Sequence, residues 1–274
     1  MKILLKSLAR PVLRWTLSRL EPLTGFWTDP TGYLPNRFKM VLGSYEKFLT
    51  AAIVQALPAQ GVFVDVGANV GFISQKVARC RPQARGFSFE PNPRIYPTLQ
   101  KNLKAYPRCQ AFNAGLGARE GSLEFFHGAE SCVGSFVQAY TSQHPANQSR
   151  GPIAKSQVKV TTGDTMLADI GTIDVMKMDV EGYEAEVLKG MTKLLTAGTI
   201  RTIFFEFCPF AQKWTHNPPG EIIHLLIKNG YAVVEVEGEN HGAPVSSQNL
   251  ATLVARLGDQ GYTTLRADWQ PRSQ

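Results

Sequence analysis

The chain has 274 residues, 43% of them hydrophobic and 19% charged, enough to bury a sizeable core and ordinary for one large α/β domain. Its four cysteines (Cys80, Cys109, Cys132 and Cys208) form no CxxC pair and its five histidines no HxxxH or HExxH spacing, which argues against a zinc site or a disulfide framework. Of the net charge of +7, residues 1 to 40 carry +5 and the remainder only +2, which speaks against a broad nucleic-acid surface on the main domain.

Lys2, Lys6, Arg10 and Arg14 recur every four residues, while Leu4, Leu5, Leu8, Val12 and Trp15 fall on a different side of a helix. This basic amphipathic stretch has two readings. One is a helix packed on the domain or against another subunit. The other is reversible contact with a membrane surface, where each basic residue contributes about 1 kcal/mol near an anionic leaflet. The apolar run is too short and too charged to span a bilayer. Pro11 is expected to interrupt the helix or to begin a second one. Residues 22 to 42, rich in Pro, Gly and aromatics, read as a structured connection. The chain thus divides into an extension over 1–42 and a main domain over 43–274. No secretory signal is recognisable, so a reducing cytoplasm is the default compartment.

Ser44 to Leu57 reads as a helix that packs through Phe48, Ala52, Val54 and Leu57 and is stopped by Pro58. The next stretch, Val62 to Gly71, is the most informative. Val62 to Val66 is a short β-branched run suited to a strand covered on both faces. Gly67 permits a tight turn, and Asn69 is a good N-cap for a helix from about Val70 to Arg79. Asp65 sits at the carboxyl end of the strand, where open α/β sheets bind small molecules. Gly86 to Glu90 looks like the second strand. Glu90 follows Asp65 by 25 residues, close to the roughly 20-residue offset at which an acid meets ribose hydroxyls. A nucleoside cofactor is implied. The run Gly67-Ala68-Asn69-Val70-Gly71 lacks the middle glycine of GxGxxG, and no Lys-Ser or Lys-Thr of a P-loop follows. An acid at the strand end suits an ammonium better than a phosphate. These residues therefore favour S-adenosylmethionine over NAD. The bland alternative is an ordinary glycine turn flanked by two solvated acids.

Pro93 to Tyr106 suits a helix and Cys109 to Asn113 a third strand. Asn113 at its end either faces an adenine edge or bonds local backbone. Ser122 to Phe126 and Gln157 to Val160 read as an added hairpin. Between them, residues 127–156 show little periodicity and are a candidate acceptor-binding lid with Ser131, Ser135 and Tyr140 as polar contacts. Ile173 to Met178 is the fourth strand, followed by a helix over Glu184 to Leu195. Thr202 to Phe207 is the fifth strand, Glu221 to Lys228 a helix and Tyr231 to Val236 the sixth strand. Thr263 to Ala267 returns antiparallel as the seventh. The predicted fold is a Rossmann-like α/β sheet, seven-stranded and mostly parallel, with helices on both faces.

Three motifs together, Asp65-Val66-Gly67-Ala68-Asn69-Val70-Gly71, Phe89-Glu90-Pro91-Asn92 and Met176-Lys177-Met178-Asp179-Val180-Glu181-Gly182-Tyr183-Glu184, resemble the FkbM-type S-adenosylmethionine-dependent methyltransferases. The resemblance implies a class I methyltransferase fold and O-methylation of a hydroxyl on a sugar, glycan or natural product. Gly43, Tyr45 and Glu46 resemble the family's pre-domain segment, where edging the cofactor site competes with simple packing. The expected cofactor contacts are Asp65, Gly67, Asn69, Gly71, Glu90 and Asn113. Asp179 and Glu181 are the candidate base or acceptor-orienting groups, and Lys177 reads best as a partner in a structural ion pair. Glu184 is expected to stabilise the N-terminal end of its helix. Asp179 with Glu206 would suit a Mg²⁺ of the kind some O-methyltransferases hold. Methylation of RNA or protein, and a cofactor-binding scaffold without transfer activity, are the competing functions.

Overall fold

In the computed structural model, residues 2–128, 133–145, 147, 153–215, 217–218, 220–237, 240–258 and 261–271 are described, those at 2–10, 237, 240 and 241 by backbone alone. Ser131 and Cys132 therefore lie outside the described residues. Three helices, α1 (Lys2–Thr24), α2 (Leu34–Val41) and α3 (Lys47–Ala56), precede β1 (Val62–Val66). Then come α4 (Phe72–Cys80), β2 (Arg85–Phe89), α5 (Tyr96–Leu103) and β3 (Cys109–Phe112). A small second sheet is built from β4 (Gly115–Leu116), β5 (Gly121–Phe126) and β6 (Lys155–Thr161), with α6 (Gln138–Gln143) between the last two. The chain continues through α7 (Gly163–Met166), β7 (Ile173–Met178), α8 (Glu184–Lys189), α9 (Thr192–Thr196) and β8 (Ile200–Phe207). The C-terminal part adds α10 (Pro209–Gln212), α11 (Glu221–Lys228), β9 (Tyr231–Glu237), β10 (Asn240–Val245), α12 (Leu250–Leu257) and β11 (Thr263–Trp269).

The central sheet has the order β10-β9-β11-β8-β7-β1-β2-β3. Strands β3, β2, β1, β7 and β8 are parallel, and β11 runs antiparallel between β8 and β9. This is the seven-stranded class I methyltransferase arrangement with one antiparallel edge strand, β10, added to it. Strand alternation divides the interior into two layers. Val62, Val64, Val66, Met176 and Met178 face one layer with β8, α8 and α11. Phe63, Val175 and Phe204 face the other, with Leu17 of α1, Val41 of α2, Ile53 of α3 and Ile73 of α4. Asp65 and Lys177 share the parity of Phe63 and Val175, so they project to this second layer.

Several boundaries differ from the sequence reading, each for a local reason. Helix α4 starts at Phe72 with Gly71 as N-cap, because Asn69 (φ 50) and Gly71 (φ 81) both hold left-handed backbone. Helix α5 starts late because Asn92 first closes a turn, accepting the Arg94 and Ile95 amides through its side chain and carbonyl. The expected helix over Glu184 to Leu195 breaks into α8 and α9 at Gly190. A Cβ there would stand 2.0 Å from the Gly117 carbonyl oxygen, so the chain bends to let two backbones touch. Helix α1 runs through Pro11 without a break. Phe48 of α3 is solvent-exposed, and Ile53 is the side chain that α3 buries completely.

Candidate active site

The cleft lies at the carboxyl ends of β1, β2 and β7, where the loops after these strands meet. Gly67 leaves β1 with φ 75, and a Cβ on it would stand 1.9 Å from the Asp179 carbonyl oxygen at the end of β7. The amides of Gly67 and Ala68 both donate to the Phe89 carbonyl at 3.0 Å, which ties the turn to the end of β2. Glu90 follows immediately. Its Oε2 accepts the Asn69 amide and its Oε1 the Asn92 amide, each at 2.8 Å. Each carboxylate oxygen thus keeps a free lone pair. Burial raises the Glu90 carboxyl to a pKa of about 7, although the two amides oppose that shift.

Beneath the turn is a buried ionic cluster that strand register explains. Asp65 pairs directly with Lys177 across β1 and β7, and with Ser88 across β1 and β2. Lys177 Nζ lies 3.4 Å from Asp65 Oδ1 and 3.5 Å from Asp179 Oδ2, and donates to the Gly67 carbonyl at 2.9 Å. Asp65 Oδ2 accepts from Ser74 Oγ at 2.5 Å, and Ser74 Oγ lies 2.8 Å from Ser88 Oγ. Burial opposes the Lys177 charge, but Asp65, Asp179 and Glu46 outweigh it and hold the ammonium above the usual lysine range. Asp65 is fully buried and does not line the cleft.

More carboxylates gather toward the mouth. Glu46 has left-handed backbone (φ 43) and lines the cleft. Burial, then repulsion from Asp179, lifts it to about 7. Glu181 also has left-handed backbone (φ 55). Tyr140 of α6 donates its hydroxyl to Glu181 Oε2, and Ser135 Oγ donates to the Glu181 carbonyl at 2.9 Å. Burial and Asp179 push the Glu181 carboxyl well above its ordinary range, against the Tyr140 bond. Glu184, the first residue of α8, accepts the Val180 and Gly182 amides at 3.0 and 3.2 Å and so fixes the loop carrying Asp179 and Glu181.

Of the residues singled out in the sequence, Gly67, Asn69, Glu90, Asp179 and Glu181 line one cleft, joined by Tyr45, Glu46 and Lys177. Gly71 stands behind, where a Cβ would meet Leu99 Cδ1 at 2.6 Å. Asn113 is exposed and donates to the Glu90 and Pro91 carbonyls at 2.8 and 3.2 Å, the local-backbone option. Gly43 and Glu206 are not part of the lining. Asp179 is engaged by Lys177, and among the described residues no group of three or more His, Cys, Asp or Glu is disposed to hold a metal ion.

One part of the site carried no sequence signal. Asp29, Gly32, Tyr33, Asn36, Arg37 and Met40, from the stretch read as an extension, form one wall of the cleft. Arg37 anchors that wall, donating to Thr28 Oγ1 at 2.7 Å and to the Pro30 carbonyl at 3.2 Å, with Glu21 at 3.5 Å. Gly134 and Phe136, which also line the cleft, come from the stretch expected to form a lid. The apolar side chains of Phe89, Pro91, Leu116 and Phe136 give the Glu90 end a surface suited to a flat base, and the absent Cβ at Gly67 leaves backbone open to a ligand. These features fit a nucleoside.

Residues 65–233, more than half of the chain, match the family model described as the methyltransferase FkbM domain. The chain belongs to the FkbM family of S-adenosylmethionine-dependent methyltransferases. Among its relatives are Methyltransferase 1 of Beauveria bassiana, 29% identical over 152 residues (50% of this chain, 61% of that one), and 2-O-methyltransferase NoeI of Sinorhizobium fredii, 28% identical over 158 residues (53% and 63%). Hexuronic acid methyltransferase AglP of Haloferax volcanii is 28% identical over 153 residues (55% and 58%). This FkbM-family chain spans about three fifths of the length of these relatives. A precorrin-6y C5,15-methyltransferase from Geobacter metallireducens superposes with a TM-score of 0.45 at 12% identity, covering 90% of this chain and 94% of that one. The family match begins at Asp65, so the wall formed by Asp29 to Glu46 lies upstream of it.

Proposed function

We propose that the protein methylates a hydroxyl on a sugar, glycan or other small molecule, with S-adenosylmethionine as donor. The observation that carries the reading is Glu90, a buried carboxylate on the cleft wall whose two oxygens each retain one lone pair for a vicinal diol. When bound, the sulfonium nucleoside supplies an electrophilic methyl group, which leaves binding, orientation and proton handling to the protein. Glu90 would hold the ribose hydroxyls and the Gly67–Asn69 turn would receive the adjoining part of the nucleoside. Asp65 is buried away from the cleft, whereas Asp179 lines it with its side chain 30% exposed and shares Lys177, so Asp179 is the carboxylate assigned to the donor's ammonium.

Holding the acceptor oxygen in line is worth about 7–11 kcal/mol in favourable cases. A general base adds about 10²–10⁴-fold. Glu181 suits the second role. Its backbone and carboxylate are both pinned, and burial with the neighbouring Asp179 raises its carboxyl above the ordinary range, which makes it a stronger base than a solvated glutamate. Relatives named as a 2-O-methyltransferase and a hexuronic acid methyltransferase support a sugar-class acceptor. The test is incubation with methyl-labelled donor and a host small-molecule extract. Label in a small molecule or glycan is expected, and label confined to protein or RNA would overturn the acceptor class.

A further inference from the structure

We infer that the outward stripe of α1 docks this protein on an anionic membrane surface. One side of α1 belongs to the domain: Leu17 is fully buried and Leu20 packs beside it. Another side carries Val12, Trp15 and Leu23, which are 62%, 61% and 82% exposed. With Arg19 these residues are spaced by three, four and four, which places them on one helical face. The Arg19 guanidinium lies 5.4 Å from the centre of the Trp15 ring. A tryptophan with a basic side chain folded over it is an interfacial pair, its ring at home among headgroups and its charge directed to phosphate. Upstream, the sequence places Leu5 and Leu8 seven and four residues before Val12, and Lys2, Lys6 and Arg10 in the same segment.

Charge decides among occupants. Helix α1 carries Lys2, Lys6, Arg10, Arg14 and Arg19 against Glu21 alone. A second copy laid along this helix would bring like charges together. RNA would satisfy the charge but leave Val12 and Leu23 in water. An anionic lipid surface accepts both the apolar stripe and the basic excess. Among the described residues no helix is long and apolar enough to cross a membrane, so the contact lies in the interface plane. The same segment continues into the Asp29–Met40 wall of the cleft, so whatever engages α1 acts on a chain stretch that also lines the site.

Co-sedimentation of the full chain with vesicles tests this directly. Vesicles of equal parts phosphatidylserine and phosphatidylcholine should pull the protein down, pure phosphatidylcholine vesicles should do so far less, and added salt should release it. Trp15→Asp combined with Leu23→Ser should weaken vesicle binding at least tenfold. These side chains are exposed, so the melting temperature should stay within a degree or two of wild type. No binding to the mixed vesicles, or binding undiminished in the variant, overturns the inference. So does a concentration-dependent dimer, or RNA binding, that the same variant abolishes.

Discussion

Lys177 is the residue on which the site's architecture turns. Its side chain is 6% exposed and neutralises Asp65 and Asp179 while holding the Gly67 carbonyl. Lys177→Met leaves the buried Asp65 carboxylate without its counter-charge, so denaturant unfolding should show a loss of about 3–5 kcal/mol. Adding Asp65→Asn should recover part of it, since the double variant removes that stranded charge. At Gly67 the fault is steric: Gly67→Ala forces a Cβ onto the Asp179 carbonyl oxygen, so the loop after β7 must move and binding of S-adenosylhomocysteine should be lost. Tyr140 is a positioning residue. Burial and the neighbouring Glu181 raise its own pKa far above the usual range, so it stays a donor. Donation to a carboxylate favours the charged form, and Tyr140→Phe should raise the Glu181 pKa further. The acid limb of the methyl-transfer rate profile should then shift to higher pH, with S-adenosylhomocysteine affinity unchanged. A uniform rate drop without that shift would make Tyr140 merely structural.

At the scale of elements, legibility followed the range of the determining contact. Strands β1, β2, β7 and β8 were readable because short β-branched and aromatic runs signal burial without knowledge of their neighbours. The acids at their ends were readable for the same reason. The ion pair between Asp65 and Lys177 required the register of β1 on β7, a contact across 112 positions. The break between α8 and α9 depends on Gly190 meeting Gly117, which no periodicity encodes. Glu46 and Glu181 hold left-handed backbone, and nothing in their side chains announces it. Gly190→Val should cost about 1–3 kcal/mol or more in urea unfolding, because it pries α8 and α9 away from the connection after β4. Equal stability would mean that the close backbone approach is dispensable.

For the molecule as a whole, a division at residue 42 does not describe the cleft, one wall of which is built from Asp29 to Met40. The concentration of acids has a global consequence. Glu46, Glu90 and Glu184 move from the ordinary 4.5 to about 7, and Glu181 and Glu206 also rise. A folded state that keeps protons the unfolded chain has released loses stability as pH rises through that window. This contribution is fully present below about 4.5 and lost above about 7, so the ligand-free melting temperature should fall across that range. A melting temperature that climbs over the same range would mean that other groups dominate.

The central claim is that Glu90 grips the ribose of a sulfonium nucleoside, and titration calorimetry with S-adenosylhomocysteine tests it most directly. The wild-type chain should bind it and not NAD. Glu90→Ala should weaken binding at least tenfold, since hydrogen bonds to a charged group are worth about 1.5–3 kcal/mol each. An unchanged affinity in Glu90→Ala, or a wild-type preference for NAD, would contradict the account.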